Sequence, residues 1–402
     1  MTARFLDRTT APHLFTLVVA TSVSSLSMNL FLPSLPGMAR YFEADYAVVQ
    51  LLVSLYLAAT AIVQLFIGPL SDRFGRRPIM LAGLGVFIIG SLASIYAPTI
   101  EALLFCRLLQ AFSAVGMVLA RAVVRDTVEA SRAASRIGYI TMGMSLVPML
   151  GPILGGFLDE LYGWKSSFIL MLAAGVLTFA VAWLDLGETN HNKSKSFAAQ
   201  FRAYPQLLGS PQFWGYTLTA VFTSGAFFAF LGGGPYVATE SLRLSPSEYG
   251  FYFGIISLGY LLGNYMSGRF SHQFGINHMM LAGNIVAVFG MMLSMALFLL
   301  GYYHALSLFG PVFFTGVGNG LTMPNANAGI VSVNRHLAGS ASGLGGALQV
   351  GGGALLAALA GALLTSGSGP YPLISVMLLS SLAGVASTLY VMRVTRDGDE
   401  QW

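Results

Sequence analysis

The sequence contains few charged residues and a single cysteine. Only 9% of its 402 residues are charged, whereas 55% are hydrophobic, and in an ordinary soluble domain roughly a quarter are charged. Twenty basic and 16 acidic residues are too few to cover the surface of a soluble protein of this length. These deficits exclude a soluble enzyme and a disordered chain, and the lone Cys106 excludes an intrachain disulfide framework. The chain is therefore predicted to lie in a lipid bilayer, and lipid is expected to surround most of its surface.

Twelve apolar runs are separated by short polar breaks. A membrane-spanning helix needs about 20 residues, and each run supplies that length. The predicted spans are 13–38, 46–70, 78–97, 101–123, 134–159, 165–185, 211–238, 248–270, 277–300, 304–330, 339–364 and 370–392. The sequence therefore predicts an all-α integral membrane protein with twelve transmembrane helices.

The distribution of positive charge predicts how these spans are oriented. With both termini in the cytoplasm, 16 of the 20 basic residues fall in cytoplasmic segments, and only Arg40, Lys165 and Arg243 fall outside. An excess of Lys and Arg is typical of cytoplasmic loops, so we expect cytoplasmic termini. The same distribution accounts for the net charge of +4, and no nucleic acid is expected as a partner.

The longest polar interval, 186–210, follows the sixth span and divides the chain into two similar halves. We predict an N-terminal bundle at 1–187, a cytoplasmic linker at 188–210 and a C-terminal bundle at 211–402. An internal repeat at an offset of 200 residues supports this division. The matching residues are Gly68, Ser71, Phe74 and Gly75 with Gly268, Ser271, Phe274 and Gly275. Two related six-helix halves are typical of secondary transporters.

The strongest local motif is the turn after the second span, Gly68-Pro-Leu-Ser-Asp-Arg-Phe-Gly-Arg-Arg-Pro78. It is similar to the G-x-L-x-D-R-x-G-R-R loop that joins helices 2 and 3 in the major facilitator superfamily. Gly75 permits a tight turn, and Asp72 can accept hydrogen bonds from a helix N-terminus or from an Arg of the other half. We predict that Gly68, Asp72, Arg73, Gly75 and Arg76 control conformational switching. The alternative is a basic loop that only sets topology.

A second motif places an arginine inside the fourth span. Arg107 and Gln110 are three residues apart and share a helix face, and the segment resembles the R-x-x-Q-G pattern of the same superfamily, with Ala111 at the usual Gly. Because a charge in lipid is expensive, Arg107 must face protein or a water-filled cavity. Two roles remain open for Arg107: binding of substrate or tuning of proton coupling, and a structural clamp on backbone carbonyls.

A third motif, Gly143 to Gly156, occupies the fifth span. It resembles the sequence that marks exporters of the antiporter type within the superfamily. Small residues permit close and adjustable helix contacts, so we predict that this segment slides between conformational states. Its switching residues are Gly151, Pro152, Gly155 and Gly156. The alternative is ordinary small-residue packing between helices.

Further stretches resemble the bicyclomycin/chloramphenicol-resistance subfamily of drug exporters. They are Leu32–Pro36, Arg121–Asp126, Gly234–Val237 and Ala338–Gln349. The resemblance implies two pseudo-symmetric six-helix bundles and proton-driven export of small molecules across the bacterial inner membrane. We expect a monomer without cofactor or metal. Arg121, Arg125 and Asp126 join the predicted switching residues.

One position departs from this subfamily. Its members usually carry an Asp near the end of helix 1, where this chain has Asn29. All 16 acidic residues fall at span edges or in loops, so the usual proton-binding acid is missing. Asp126 is the nearest substitute, but we expect it to pair with Arg121 or Arg125.

Polar and aromatic residues in the helices between the halves are candidates for the wall of a central cavity. The predicted substrate or coupling residues are Asn29, Tyr56, Arg107, Gln110, Tyr236, Asn319, Asn325 and Gln349. Because Arg107 is permanently charged and no carboxylate is expected beside it, we predict neutral, zwitterionic or anionic substrates.

Other functions remain as alternatives. The first is a metabolite or siderophore exporter, or a facilitator without proton coupling; a transceptor or a channel belongs to a different class. A membrane enzyme is disfavoured, because the spans show neither a metal-binding cluster nor a Ser/His/Asp set. The sequence also has no phosphate-binding loop that would imply ATP.

Overall fold

Twelve long helices form the computed structural model, which describes residues 4–128, 130–190, 204–334, 337–365 and 367–399. They are α1 (Leu14–Tyr41, with a 3-10 turn at Leu32–Ser34), α2 (Tyr46–Phe74), α3 (Arg76–Ile95), α4 (Ile100–Thr127, with a 3-10 turn at Ala111–Ser113), α5 (Ala130–Tyr162), α6 (Lys165–Asp185), α7 (Pro211–Ser241), α8 (Pro246–Phe274), α9 (Ile276–Leu299), α10 (Ala305–Ser332), α11 (Ala338–Leu363) and α12 (Tyr371–Asp399). Their number and order confirm the predicted all-α membrane fold. A short helix, Tyr204–Leu208, lies within the predicted linker.

Nine of these helices, judged over the described residues, are long and apolar enough to cross a membrane by length and composition alone. The other three are α5, α8 and α10. In α8 and α10 small residues replace large apolar ones where the two helices touch. A Cβ atom at Gly263 or at Gly320 would collide with a carbonyl oxygen of the facing helix. The lower hydropathy of this pair therefore accompanies close helix packing.

The turns after α2 and α8 have the same geometry, 200 residues apart. Gly75 and Gly275 have φ angles of 109° and 77°, a region that favours glycine. Their N–H groups donate to the carbonyls of Ser71 (3.0 Å) and Ser271 (2.9 Å). The repeat in the sequence therefore has a structural counterpart in the two halves.

The start of α1 and the end of α12 lie on the same side of the molecule as these turns, called here the terminal face. The first residues are tied to the end of α6 by Asp185, which is fully buried. Its carboxylate accepts hydrogen bonds from Leu6 N (2.8 Å), His13 N (2.8 Å) and Thr16 Oγ1 (2.6 Å). The other side, which carries the α1–α2 and α7–α8 turns, is called the opposite face.

Helices α1–α6 and α7–α12 form two bundles that share an apolar core near the opposite face. This core contains Phe31 and Leu52 of the first bundle together with Phe230 and Phe309 of the second. Towards the terminal face each bundle has a core cluster of its own. The bundles are therefore most firmly joined at the opposite face. The residue limits predicted for bundles and linker stay a prediction.

The crossing of α2 and α11 follows the same gradient. A Cβ atom at Gly361, near the opposite face, would lie 2.5 Å from Cγ of Gln50. Nearer the terminal face, a Cβ atom at Gly346 would lie 3.7 Å from Oε1 of Gln64. The contact between a glycine of α11 and a side chain of α2 is thus tighter at Gly361 than at Gly346.

Candidate functional site

Arg107 of α4 is completely buried and is held by hydrogen bonds to two neighbouring helices. Its Nε donates to Leu52 O of α2 (3.1 Å), and Nη2 donates to Ser27 O of α1 (3.1 Å). Its Nη1 donates to Ser27 Oγ (3.3 Å) and to Gln110 Oε1 (2.6 Å). The side chain therefore joins α1, α2 and α4 into one unit.

Aromatic rings complete the enclosure of this charge. The guanidinium carbon lies 4.2 Å from the centre of the Phe31 ring and 4.3 Å from that of Tyr56, at distances where ring faces attract a cation. Among the described residues, no carboxylate lies within 4.0 Å of Arg107. Of the two roles that the sequence left open for Arg107, this geometry favours the clamp.

Gln110 and Tyr56 extend the same polar network. Gln110 is fully buried, and its Nε2 donates to Ser91 Oγ (3.1 Å) and Ser94 Oγ (3.3 Å) of α3. Tyr56 Oη donates to Ser24 O of α1 (3.2 Å). Because a buried polar group without a partner is costly, these bonds fix α1, α2, α3 and α4 relative to one another.

Asn29 lies on α1, immediately before the break at Leu32. Its side chain is buried; Nδ2 donates to Ser25 O (2.8 Å), and no hydrogen-bond partner is found for Oδ1 among the described residues. A Cβ atom at Gly151 of α5 would lie 3.4 Å from Cβ of Asn29. The position usually held by an acid in the subfamily is therefore enclosed and partly unsatisfied in this conformation.

The two predicted asparagines of α10 bind other helices of the C-terminal bundle. Both are buried. Asn319 Nδ2 donates to Thr223 O of α7 (3.1 Å), and Asn325 Nδ2 donates to Ser267 Oγ of α8 (2.9 Å). They serve interhelical packing here, and a direct role in substrate binding stays a prediction.

Tyr236 and Gln349 lie apart from this group. Tyr236 is half-buried at the opposite-face end of α7, with its ring centre 4.7 Å from that of Tyr46. Gln349 is half-buried in the middle of α11. The structure therefore brings together Tyr56, Arg107 and Gln110 in the N-terminal bundle. Asn29 lies against α5 instead, and the four predicted C-terminal residues are separate from this group.

The switching loop forms an ion-pair cluster at the terminal face. Arg76 bonds with Asp72 (Nη1–Oδ1, 2.6 Å) and with Asp126 at the end of α4 (Nε–Oδ2, 2.9 Å). The expected pairing of Asp126 with Arg121 or Arg125 is wrong. Residues one or five apart on a helix do not face each other, so the cation comes from α3 instead. Arg121 and Arg125 are exposed.

Residues just after α6, which the sequence analysis missed, complete this cluster. Glu188 Oε1 accepts a hydrogen bond from the backbone N–H of Arg76 (2.8 Å), at the positive end of the α3 dipole. Asn190 Nδ2 donates to the carbonyl of Asp72 (3.0 Å). A Cβ atom at Gly75 would collide with the carboxylate of Glu188. Gly75 therefore leaves room for this contact as well as forming the turn.

The other residues of the loop motif make fewer contacts with the rest of the protein. Gly68 is half-buried within α2, before the cluster. Arg73 is exposed, with its guanidinium carbon 5.4 Å from the ring centre of Phe74. The contacts of the loop motif are therefore concentrated on Asp72, Gly75 and Arg76.

The glycines of α5 contact two different partners. A Cβ atom at Gly155 would collide with the carbonyl of Leu30 in α1, and one at Gly156 would collide with the carbonyl of Pro246 in α8. The carbonyl of Pro152 in turn blocks a Cβ atom at Gly250 of α8. This stripe therefore packs closely against α1 of its own bundle and against α8 of the other, and its sliding between conformational states stays a prediction.

Replacing Arg107 with Met should destabilise the N-terminal bundle. The substitution leaves buried acceptors on Leu52, Ser27 and Gln110 without a donor, and each costs about 1–3 kcal/mol. We expect a loss of about 3 kcal/mol or more, measured as a lower thermal unfolding temperature in detergent. The exposed Arg73→Met is the control and should change stability by less than about 0.5 kcal/mol. Equal unfolding temperatures for the two variants would contradict the clamp.

Comparison with known proteins agrees with this architecture. The sequence model of the Major Facilitator Superfamily matches residues 17–355 and 234–401. Multidrug resistance protein D of Escherichia coli is 28% identical over 380 residues, which cover 94% of each chain. The chloramphenicol resistance protein of Pseudomonas aeruginosa is 27% identical over 333 residues, covering 81% of this chain and 79% of that protein.

A solved structure shows the same fold. The bacterial homologue of the human lysosomal transporter Spinster, in an inward-facing and occupied conformation, superposes with a TM-score of 0.68 at 16% identity and covers 94% of both chains. The predicted resemblance is confirmed, and the superfamily is one of transporters rather than enzymes. The family model covers most of the residues and the helices and repeated turns agree with it, so this chain belongs to the major facilitator superfamily.

Proposed function

We propose that this chain exports small neutral, zwitterionic or anionic molecules from the bacterial cytoplasm by alternating access, driven by proton antiport. One observation carries the substrate class: among the described residues the acidic side chains lie near helix ends, while a buried Arg107 supplies permanent positive charge. The names of the two relatives, which refer to multidrug and chloramphenicol resistance, support a drug or related metabolite as cargo.

The orientation belongs to the same proposal. The terminal face is taken as cytoplasmic because 16 of the 20 basic residues fall in the segments that the sequence predicts to be cytoplasmic, as the positive-inside bias requires. The shared core at the opposite face then corresponds to a conformation closed to the outside. One chain suffices for a central pathway between its two bundles, so we propose a monomer in the inner membrane.

A facilitator without proton coupling is the second candidate function. It is favoured by Asn29, which cannot carry a proton as the usual acid of the subfamily does. Purified protein in vesicles, with a pH gradient and a membrane potential imposed separately, distinguishes the two. Accumulation against a concentration gradient under a pH gradient supports antiport, and equilibration alone supports facilitation.

Substrate charge should decide which compounds are carried. A cation about 7 Å from Arg107 would be repelled by about 2 kcal/mol at an effective dielectric of 20, roughly a thirtyfold loss of affinity. We expect resistance to chloramphenicol-type neutral drugs, and little to ethidium or tetraphenylphosphonium, when overexpressing cells are compared with empty-vector cells. Strong resistance to both cations in cells that overexpress the wild type would contradict this prediction.

Asn29→Asp should make transport depend on pH. A carboxylate at this position can bind and release a proton, which the amide of Asn29 cannot do, so the substitution adds a titratable group inside the N-terminal bundle. We expect the transport rate of the variant to change between about pH 6 and 8, more steeply than that of the wild type. Asn277→Asp, at the terminal-face start of α9, is the control. If dissipating the pH gradient alone already abolishes wild-type transport, another group carries the proton.

Asp72→Asn should slow transport while leaving substrate affinity within a few-fold of the wild type. The substitution weakens the ion pair with Arg76 at the terminal face, far from the middle of the membrane. Turnover in vesicles and equilibrium binding in detergent measure the two effects separately. Asp7→Asn, a carboxylate on the same face outside the cluster, should leave both unchanged. Lost affinity with unchanged turnover would assign Asp72 to binding instead.

A further inference from the structure

The start of α2 inserts into the C-terminal bundle at the opposite face. Gln50 is fully buried, and its Nε2 donates to the carbonyl of Ala357 in α11 (2.7 Å). One turn earlier, Tyr46 is buried, and its Oη donates to the carbonyl of Gly232 in α7 (2.7 Å). These two neutral hydrogen bonds cross from one bundle to the other.

Glycines on the C-terminal bundle shape a socket for the amide of Gln50. A Cβ atom at Gly361 would lie 2.6 Å from Gln50 Oε1, and one at Gly232 would lie 2.8 Å from Gln50 Nε2. Both distances are too short for real contacts, so any larger residue would displace the amide. The amide of Gln50 therefore fits only because glycine occupies these positions in both α7 and α11.

The location makes these contacts specific for one conformation. Tyr46 and Gln50 belong to one bundle and their acceptors to the other, so the bonds can exist only while the opposite face is closed. The nearby ion pair between Arg40 and Glu240 spans 4.0 Å, and its side chains are 66% and 52% exposed. Exposed pairs of this kind contribute little, whereas hydrogen bonds shielded from water contribute more.

The contact of Gln50 with the C-terminal bundle is only partly satisfied. Gln50 Oε1 is buried without a hydrogen-bond partner among the described residues, which offsets part of the gain from Nε2. Opening of the opposite face would return this oxygen to water. Such a contact holds the closed state without making it irreversible.

We propose that Tyr46 and Gln50, seated against Gly232, Ala357 and Gly361, form a latch that sets the population of the conformation closed at the opposite face. They are positioning residues that need not touch substrate. The inference rests on the alternating-access part of the proposed function and is independent of which compound is carried.

Electron-paramagnetic-resonance distances across the opposite face test the latch. Spin labels are placed at Tyr96→Cys and Tyr302→Cys, exposed positions in the α3–α4 and α9–α10 turns, after the buried Cys106 is changed to Ser. Gln50→Leu removes the amide at similar size, and Tyr46→Phe removes only the hydroxyl. Tyr252→Phe is the matched control, because Tyr252 is a half-buried tyrosine of α8 whose ring stacks on Phe309 within the C-terminal bundle.

We expect a mainly short distance in the labelled wild type. Each latch variant should raise the fraction of the longer distance several-fold, up to about tenfold for a hydrogen bond, while the control should not. Gly361→Ala should also favour the longer distance, because the new Cβ atom would collide with the side chain of Gln50. In the double variant Gly361→Ala/Gln50→Ala this clash is removed, so part of the short-distance population should return.

Unchanged distances in both Gln50→Leu and Tyr46→Phe would overturn the proposal, as would an equal shift in Tyr252→Phe. Tyr46→Phe changes one atom and keeps the test valid if Gln50→Leu fails to fold. The spin-label distances are measured without substrate. A failure to export drugs would therefore refute the proposed cargo without affecting the test of the latch.

Discussion

The bilayer core contains no water, so every polar group placed there must find its partner inside the protein. Arg107 meets this constraint in its most demanding form: a permanent charge, fully buried, satisfied by four hydrogen bonds and two aromatic rings. Each partner belongs to a particular helix, so neutralising the charge also fixes the helices. Through Gln110 the network reaches α3, so four of the six helices of the N-terminal bundle are held together.

Glycine contacts and hydrogen bonds join helices both within and between the bundles. Inside the C-terminal bundle, Asn284 joins α9 to α7 and α12 through Thr223 (2.9 Å) and Thr388 (3.3 Å). Between bundles, glycines such as Gly156 and Gly250 meet backbone carbonyls, and these contacts bury little side-chain surface. The shared apolar core and the two hydrogen bonds at the start of α2 also cross between the bundles. Opening of the opposite face therefore has to break these contacts.

Sequence patterns predicted the helices and the turn at Gly75 because hydropathy and backbone sterics are local properties. They did not predict which cation reaches Asp126, since several arginines lie within reach in the sequence and only the packing of α3 against α4 selects Arg76. Glu188 was missed because it occupies a polar segment that resembles any linker. Gln50 was missed because its significance depends on glycines of α7 and α11, which lie far away along the chain.

The described acidic residues lie near the helix ends, whereas the buried charge of Arg107 lies inside the N-terminal bundle. Arg107 keeps its charge at any physiological pH, so its contribution to the field inside the N-terminal bundle does not depend on pH. The described carboxylates lie at helix ends, in particular Asp72 and Asp126 at the terminal face. A proton gradient acting on this chain would therefore change contacts at the ends of the helices. In that arrangement, protonation of carboxylates at the helix ends would bias the conformational equilibrium. Selectivity for cargo would depend instead on the interior, where Arg107 keeps its charge.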